Sequence, residues 1–309
     1  MTLMTTVAPA SPTHAMFAQT VLFTSARVLQ SHLELDYIFR EILPGIQLTL
    51  DIAEAISASS VIYMEHDLDE SIARYIVAQG KDLILFHLGD ELGEKQRSAY
   101  QHARAVLRNY FHQHIFDDPL YRGQLVWVPN GYRNSVSNSN INAIKPAHHR
   151  KHLARFIGWL DNSASINGER VAFKDVAIKL TDLMHCIPMQ QFGGSFSPHL
   201  YRALMDDSIF APCPAGNAEE TIRIFDALEC GCIPITLRHT FLRTTAAMAH
   251  APYLFLDNWS QLEFELKKIT QIEQREALFD WQQQVVQHWQ YVKEITRLNA
   301  QRIILTRQR

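Results

Sequence analysis

No stretch of ~18 consecutive apolar residues occurs in this 309-residue sequence, so no segment reads as a membrane-spanning helix. Cysteine is scarce. Cys186, Cys213, Cys230 and Cys232 form no Cys-x-x-Cys pair and have no zinc-type spacing to histidine. They are expected to be reduced and mostly buried. A strong charge of either sign is also lacking. The 29 Lys and Arg nearly balance 32 Asp and Glu, for a net charge of −3, and no basic run is long enough to follow a phosphate backbone. A dedicated nucleic-acid binder is therefore not expected. The first twenty residues lack the basic start and apolar centre of a secretory signal. The expected location is cytoplasmic, or peripheral to a membrane. What is present is a globular composition, 47% hydrophobic and 20% charged, with room for two domains of ordinary size.

Apolar runs alternate with helical periods. Strands are expected at Thr20–Thr24, Ile46–Asp51, Val61–Glu65, Leu83–His87 and Leu125–Val128, with helices over Leu33–Ile42 and Asp69–Gln79. Tyr100, Ala103, Val106 or Leu107, and Tyr110 recur at helical spacing, so a helix is expected across them too. Such alternation implies parallel sheets with right-handed crossovers. The segment Asn134–Arg150 is polar, rich in Ser and Asn, and contains Pro146, which reads as a linker. The expected division is a loose tail over 1–18, an N-terminal α/β domain over 19–135, a linker over 136–150 and a second α/β domain over 151–270. Over 271–309, Leu278, Trp281, Val285, Trp289, Val292 and Ile295 repeat at helical spacing and predict a long helix packing back on the body. One larger doubly wound sheet is the alternative.

The most informative segment is Ser208–Leu237, which reads as strand, turn, helix and strand. Asn217 is expected to cap the helix, Glu219 and Glu220 to occupy its first turn, and Gly231 to end it. In open α/β sheets ligands bind beyond the carboxyl ends of strands, where helix N-termini offer free N–H groups. Thr221, Ile224, Phe225 and Leu228 should form the buried face, leaving Glu219, Arg223, Asp226 and Cys230 on the opposite one. That stripe reads in two ways. It is a solvated face of ion pairs, or Arg223 neutralises a phosphate while a carboxylate holds sugar or ribose hydroxyls.

The run from Cys213 to Ile235, CPAGNAEETIRIFDALECGCIPI, resembles the donor-binding segment of exostosin-like glycosyltransferases, near their dystroglycan xylosyltransferase-like branch. Further blocks agree in order: LILFHLGDE at Leu83–Glu91, LRNYF at Leu107–Phe111, VPNGYRN at Val128–Asn134 and RFIGWLDN at Arg155–Asn162. The resemblance implies the GT-B fold, with two Rossmann-like domains facing a cleft and the nucleotide-sugar in the C-terminal one. It implies inverting transfer of a hexosyl or pentosyl group, from a sugar most naturally linked to UDP, in polysaccharide biosynthesis. The donor residues carried over are Gly216, Asn217, Glu219, Glu220, Thr221, Arg223 and Asp226, with Glu commoner than Asp at the last position.

An inverting transfer needs a general base and positive charge or N–H dipoles for the departing diphosphate. His87-Leu88-Gly89-Asp90-Glu91 follows a buried strand, and Glu91, Asp90 and His87 are the base candidates in that order. Their bland alternative is a cap and a first-turn acid of a following helix. Arg108, at the end of the expected helix, either reaches the diphosphate or holds the Asp90 loop. Tyr132 and Arg133 are expected to project into the cleft, and Gly158 to let the backbone approach a phosphate. Gly193-Gly194-Ser195 offers donor contact or a plain connection. The chain is expected to carry no Asp-x-Asp, so no metal is expected, and no resident cofactor, since the nucleotide-sugar is a co-substrate. The acceptor would be a glycan or glycolipid hydroxyl; oligomeric state stays open. The alternatives are a GT-B transferase using a GDP-sugar and a non-catalytic nucleotide- or sugar-binding protein.

Overall fold

The computed structural model describes residues 17, 19–137, 143–189, 196–271 and 275–306. A six-stranded parallel sheet comes first: β1 (Thr20–Thr24), β2 (Gln47–Thr49), β3 (Ser60–Glu65), β4 (Asp82–His87), β5 (Ala105–Arg108) and β6 (Leu125–Trp127), in the order β2-β1-β3-β4-β5-β6. The continuous apolar runs of β3 and β4 are explained by position. Both strands are flanked on each side and buried on both faces. Asp69 caps the following helix, accepting from Ser71 N at 2.7 Å.

The helix expected across Tyr100–Tyr110 is not formed. Ser98–His102 makes one 3-10 turn, and Ala105–Arg108 pairs with β4 and β6 as an interior strand. A short apolar run fits either period, and pairing on both edges decides for the strand. The expected helix over Leu33–Ile42 is a short α turn at Leu35–Tyr37 running into a π turn at Ile38–Ile42.

A five-stranded parallel sheet follows: β7 (His152–Trp159), β8 (Met184–Met189), β9 (Ser208–Pro212), β10 (Ile233–Leu237) and β11 (Leu254–Leu256), in the order β11-β10-β9-β7-β8. The helices that matter to the cleft are α1 (Ala26–Ser31), α2 (Glu169–Ala177), α3 (Ile222–Glu229) and α4 (Arg275–Leu305). The last is the 31-residue helix that the tail periodicity predicts. Its Trp289 stacks on Tyr37 at 5.9 Å and packs against Phe225, and its Lys293 meets both Glu41 and Glu229. One core of buried side chains thus runs from Leu22 and Ile62 through Tyr37 and Trp289 to Phe225 and Phe156. Arg150, within the expected linker, is buried and donates to Ser208 O, Cys230 O and Cys232 Sγ. Residues 138–142 of that segment, most of the expected tail and Gly193-Gly194-Ser195 lie outside the described residues.

Each sheet reverses its strand order once. In the first, this happens between β1 and β3; in the second, between β7 and β9. Open parallel sheets bind ligands beyond the carboxyl ends of strands at such a point. Residues following β1, β3, β7 and β9 line one cleft of about 450 Å3 between the two sheets.

Candidate active site

The second sheet's wall is built from the loop after β9. The helix begins at Ile222, with Thr221 at the cap position, so Asn217 is not its cap and Glu219 and Glu220 are not in its first turn. Loop 213–221 is held from outside instead: Ala215 N donates to Glu169 Oε1 at 2.9 Å and Ile166 N to Gly216 O at 2.8 Å. Glu219 faces away from the cleft, accepting from Thr240 N at 2.7 Å. The expected buried face of α3 forms as read, with Ile224, Phe225 and Leu228 inaccessible. The opposite stripe is no solvated face, because Asp226 and Cys230 are fully buried as well.

Arg223, in the first turn of α3, lies over the Phe156 ring at 4.4 Å and donates to Ile157 O. Its Nε is buried without a hydrogen-bond partner among the described residues. The Arg223 guanidinium packs directly on Gly158, where a Cβ would force it to shift. A second arginine, not anticipated from sequence, stands beside it. Arg170 donates to Ala215 O at 2.8 Å and Trp159 O at 2.7 Å, and its guanidinium lies 5.9 Å from the same Phe156 ring. Burial, and then the neighbouring Arg223 charge, push Arg170 down to about 9. Two guanidinium groups that repel each other beside Gly158 and Gly216 have the charge and geometry to take up an anion. Arg170 sits in the first turn of α2, where the dipole disfavours cations.

Three contacts tie the walls together. Glu220 reaches into the first sheet's half, is 2% exposed, and accepts from Phe111 N (2.8 Å), Asn130 N (2.9 Å) and Trp127 Nε1 (3.0 Å). Burial pushes its carboxyl up to about 7 against those donors. Asp226 accepts from Arg133 through both the backbone N (2.9 Å) and Nε (2.7 Å), while the guanidinium covers the Tyr201 ring at 3.9 Å. Glu91 Oε2 accepts from Asn217 Nδ2 at 3.2 Å, and Asn217 Oδ1 accepts from Asn162 at 3.1 Å. Glu220 and Asp226 are thereby committed to protein groups although both border the cleft.

On the first sheet's wall, the base candidates separate. Glu91 opens on the cleft; His87 and Asp90 do not border it. Arg108, fully buried at the end of β5, bonds Asp90 Oδ2 at 2.8 Å and the Tyr100 hydroxyl at 3.1 Å. It therefore holds the Asp90 loop and does not reach toward a diphosphate. Burial pushes Asp90 up, but Arg108 and the Lys95 N–H outweigh it and leave the carboxyl below its usual range. No helix follows; Asp90 Oδ1 closes the loop by accepting from Glu94 N and Lys95 N. Burial and the Arg108 charge keep His87 neutral, with its pKa down at about 3, bound to Tyr100 at 2.6 Å. Tyr132 also turns away, fully buried against Tyr37 with its hydroxyl on Glu41 at 3.0 Å.

In their place the structure brings His32 and Glu34 from the loop after α1, His66 from after β3, and Tyr110 from after β5. Tyr110 lies in the LRNYF block, but nothing in the sequence marked His32, Glu34 or His66, because only the strand order sets the ends of β1 and β3 side by side.

An Asp-x-Asp does occur, at Asp67-Leu68-Asp69, contrary to the expectation above. Asp69 is the helix cap already described, and Asp67 is bound by Arg27 at 2.5 Å and Lys95 at 3.2 Å. Among the described residues, no three His, Cys, Asp or Glu side chains are gathered as metal ligands. Nor is any described helix long and apolar enough to cross a membrane.

Comparison with known proteins agrees with this architecture. Anabaena Alr3699/HepE, solved in complex with UDP, superposes with a TM-score of 0.51 at 10% identity, covering 91% of this chain and 98% of that one. A UDP-glucosyltransferase from Polygonum tinctorium (TM-score 0.45, 7% identity, 93% and 99% covered) and Acinetobacter baumannii MurG (0.41, 10%, 91% and 99%) are more distant. No curated protein sequence matches the chain. The two facing parallel sheets have the GT-B glycosyltransferase fold. The family described as the RXYLT1 C-terminal domain matches residues 132–306, more than half of the sequence, and the chain belongs to that family.

Proposed function

We propose that the protein is an inverting glycosyltransferase that moves a sugar from a nucleotide-sugar, UDP-linked, to a hydroxyl of a glycan or glycolipid. The observation that carries this reading is the Arg170–Arg223 pair beside Gly158 and Gly216, at the point where the second sheet reverses its strand order. A diphosphate there would meet two guanidinium groups, one with an unused buried donor. The UDP held by the Anabaena protein of the same fold supports uridine as the nucleotide. In the reaction the acceptor oxygen bonds to the anomeric carbon as the bond from that carbon to the β-phosphate oxygen breaks, and UDP leaves with the electron pair. The two arginines stabilise the charge developing on the diphosphate, without a metal or resident cofactor. Of His87, Asp90 and Glu91, only Glu91 borders the cleft where the proton is lost.

Titration with UDP and GDP tests the donor site. UDP at 100-fold above Kd should stabilise the fold by about 2.7 kcal/mol. Preference for GDP would move the donor to the GDP-sugars, and no response to any nucleotide would remove the donor site. Release of UDP from UDP-sugars should survive EDTA; loss on chelation, restored by Mn2+, would overturn the metal-free reading. Nucleotide binding without turnover would leave a binding protein.

A further inference from the structure

Glu91, carried by the first sheet's wall, has its side chain engaged by the loop after β9. Its Oε1 lies 3.9 Å from where a Cβ on Gly216 would stand, and its Oε2 is taken by Asn217. A second cleft carboxyl of the first sheet's wall, Glu34, stands in the loop that follows β1 and α1. It is 7% exposed, and its Oε2 lies 3.3 Å from His32 Nε2. That nitrogen is buried and makes no hydrogen bond among the described residues, while the ring's Nδ1 lies 3.1 Å from His66 Nε2. His32 and His66 follow β1 and β3, the strands between which the first sheet reverses its order. This mirrors the position of the arginine pair in the second sheet.

Resting on the reading of the cleft as a nucleotide-sugar site, we propose that Glu34 is the general base of the transfer and His32 its positioning residue. The acceptor O–H bond breaks as Glu34 takes the proton. The freed oxygen bonds to the anomeric carbon, and the bond from that carbon to the diphosphate breaks with its electrons leaving on UDP. Atoms and charge balance without another reactant.

The surroundings suit a base. Burial, and then the Asp226 charge, push the Glu34 carboxyl up to about 8, with Arg133 opposing. General-base catalysis is most effective when the pKa lies near the working pH. The groups facing Glu34 are His32 on its own loop, Asp226 of α3, Arg133 after β6 and Tyr110 after β5. Burial keeps His32 neutral, with its pKa down at about 3, so it presents no competing charge. Tyr110 holds a φ of +56°, a left-handed conformation that is uncommon for a bulky side chain and concentrates at functional sites.

The test uses the full chain, calorimetry with UDP, and UDP release from UDP-glucose and UDP-xylose with water or added sugars as acceptor. Glu34→Gln should lower kcat by about 10²–10⁴-fold and leave the Kd for UDP nearly unchanged. In the parent, kcat should fall as pH drops below about 8, and that limb should vanish in Glu34→Gln. His32→Gln should shift the limb and lower kcat by a smaller factor. If Glu34→Gln does not fold, Glu34→Asp keeps the carboxyl and should retain the limb at reduced kcat. Near-parental kcat in Glu34→Gln, or an unchanged limb, overturns the assignment. A large loss confined to Glu91→Gln returns the base to Glu91. A parent that fails to bind UDP sinks the donor-site reading instead, and UDP binding with no turnover of either donor retires transfer and base together.

Discussion

The two walls of the cleft have the same topology and opposite chemistry. In each, a parallel sheet reverses its strand order once and turns the carboxyl ends of its strands toward the gap. The second sheet's wall offers Arg170 and Arg223 over small, closely approachable backbone at Gly158 and Gly216. The first sheet's wall offers carboxyls and imidazoles, the buried Glu34 and His32 and the half-buried His66 and Glu91. The difference teaches that the fold supplies a location and the strand-end side chains supply the division of labour. A cationic wall suits a diphosphate, and an acidic, desolvated wall suits a proton.

The largest expected effect comes from breaking the join between the walls. Arg133→Ala leaves the buried Asp226 charge with the backbone N–H of residue 133 and no guanidinium, and loss of one partner of such a pair costs about 3–5 kcal/mol. Urea denaturation should show that loss, and a change under about 1 kcal/mol would mean that water reaches Asp226. Next comes the cationic wall. Arg170→Ala and Arg223→Ala should each weaken UDP binding by about 1.5–3 kcal/mol, the value of a charge-assisted contact. Calorimetry giving parental affinity in both would reduce the pair to structural props.

The acidic wall is tested by pH. Burial raises the Glu34 carboxyl from 4.5 to about 8, so the folded chain holds this proton more tightly than the unfolded chain does. The stability it contributes is present below pH 4.5 and is lost as pH rises through about 8. The urea midpoint of the parent should therefore fall across that window relative to Glu34→Gln, and parallel curves would show that Glu34 is solvated. The smallest effect should come from Asn217→Ala, which removes an exposed hydrogen bond to Glu91 and a half-buried one from Asn162. Its cost should stay at about 0.5–1.5 kcal/mol in the same denaturation assay.

Sequence reasoning located β4, β9 and β10 because their apolar runs are long and bounded by turn residues. It failed at Ala105–Arg108, where four residues fit a helical period and a strand equally well and pairing with β4 and β6 decides. Arg108 was placed on a helix, yet of its two expected roles the structure forms the second, in which it holds the Asp90 loop inside the first half. Arg223 was legible because a Gly-containing turn led into its helix. Arg170 was not, since its partner Arg223 is 53 positions away in the chain and only the packing of α2 against the loop after β9 joins them.

By itself the sequence determined the alternating α/β class, the long terminal helix and the strand, turn and helix around Arg223, because periodicity and turn chemistry are local properties that neighbouring residues enforce. The tertiary structure alone decided which strand-end residues face the cleft. It buried His87, Asp90, Arg108 and Tyr132, committed Glu220 and Asp226 to protein donors, and set Glu34, His32 and His66 on the opposite wall. The physical reason is strand order: adjacency of β1 to β3 and of β7 to β9 is fixed by long-range pairing, and no local pattern in the chain records it.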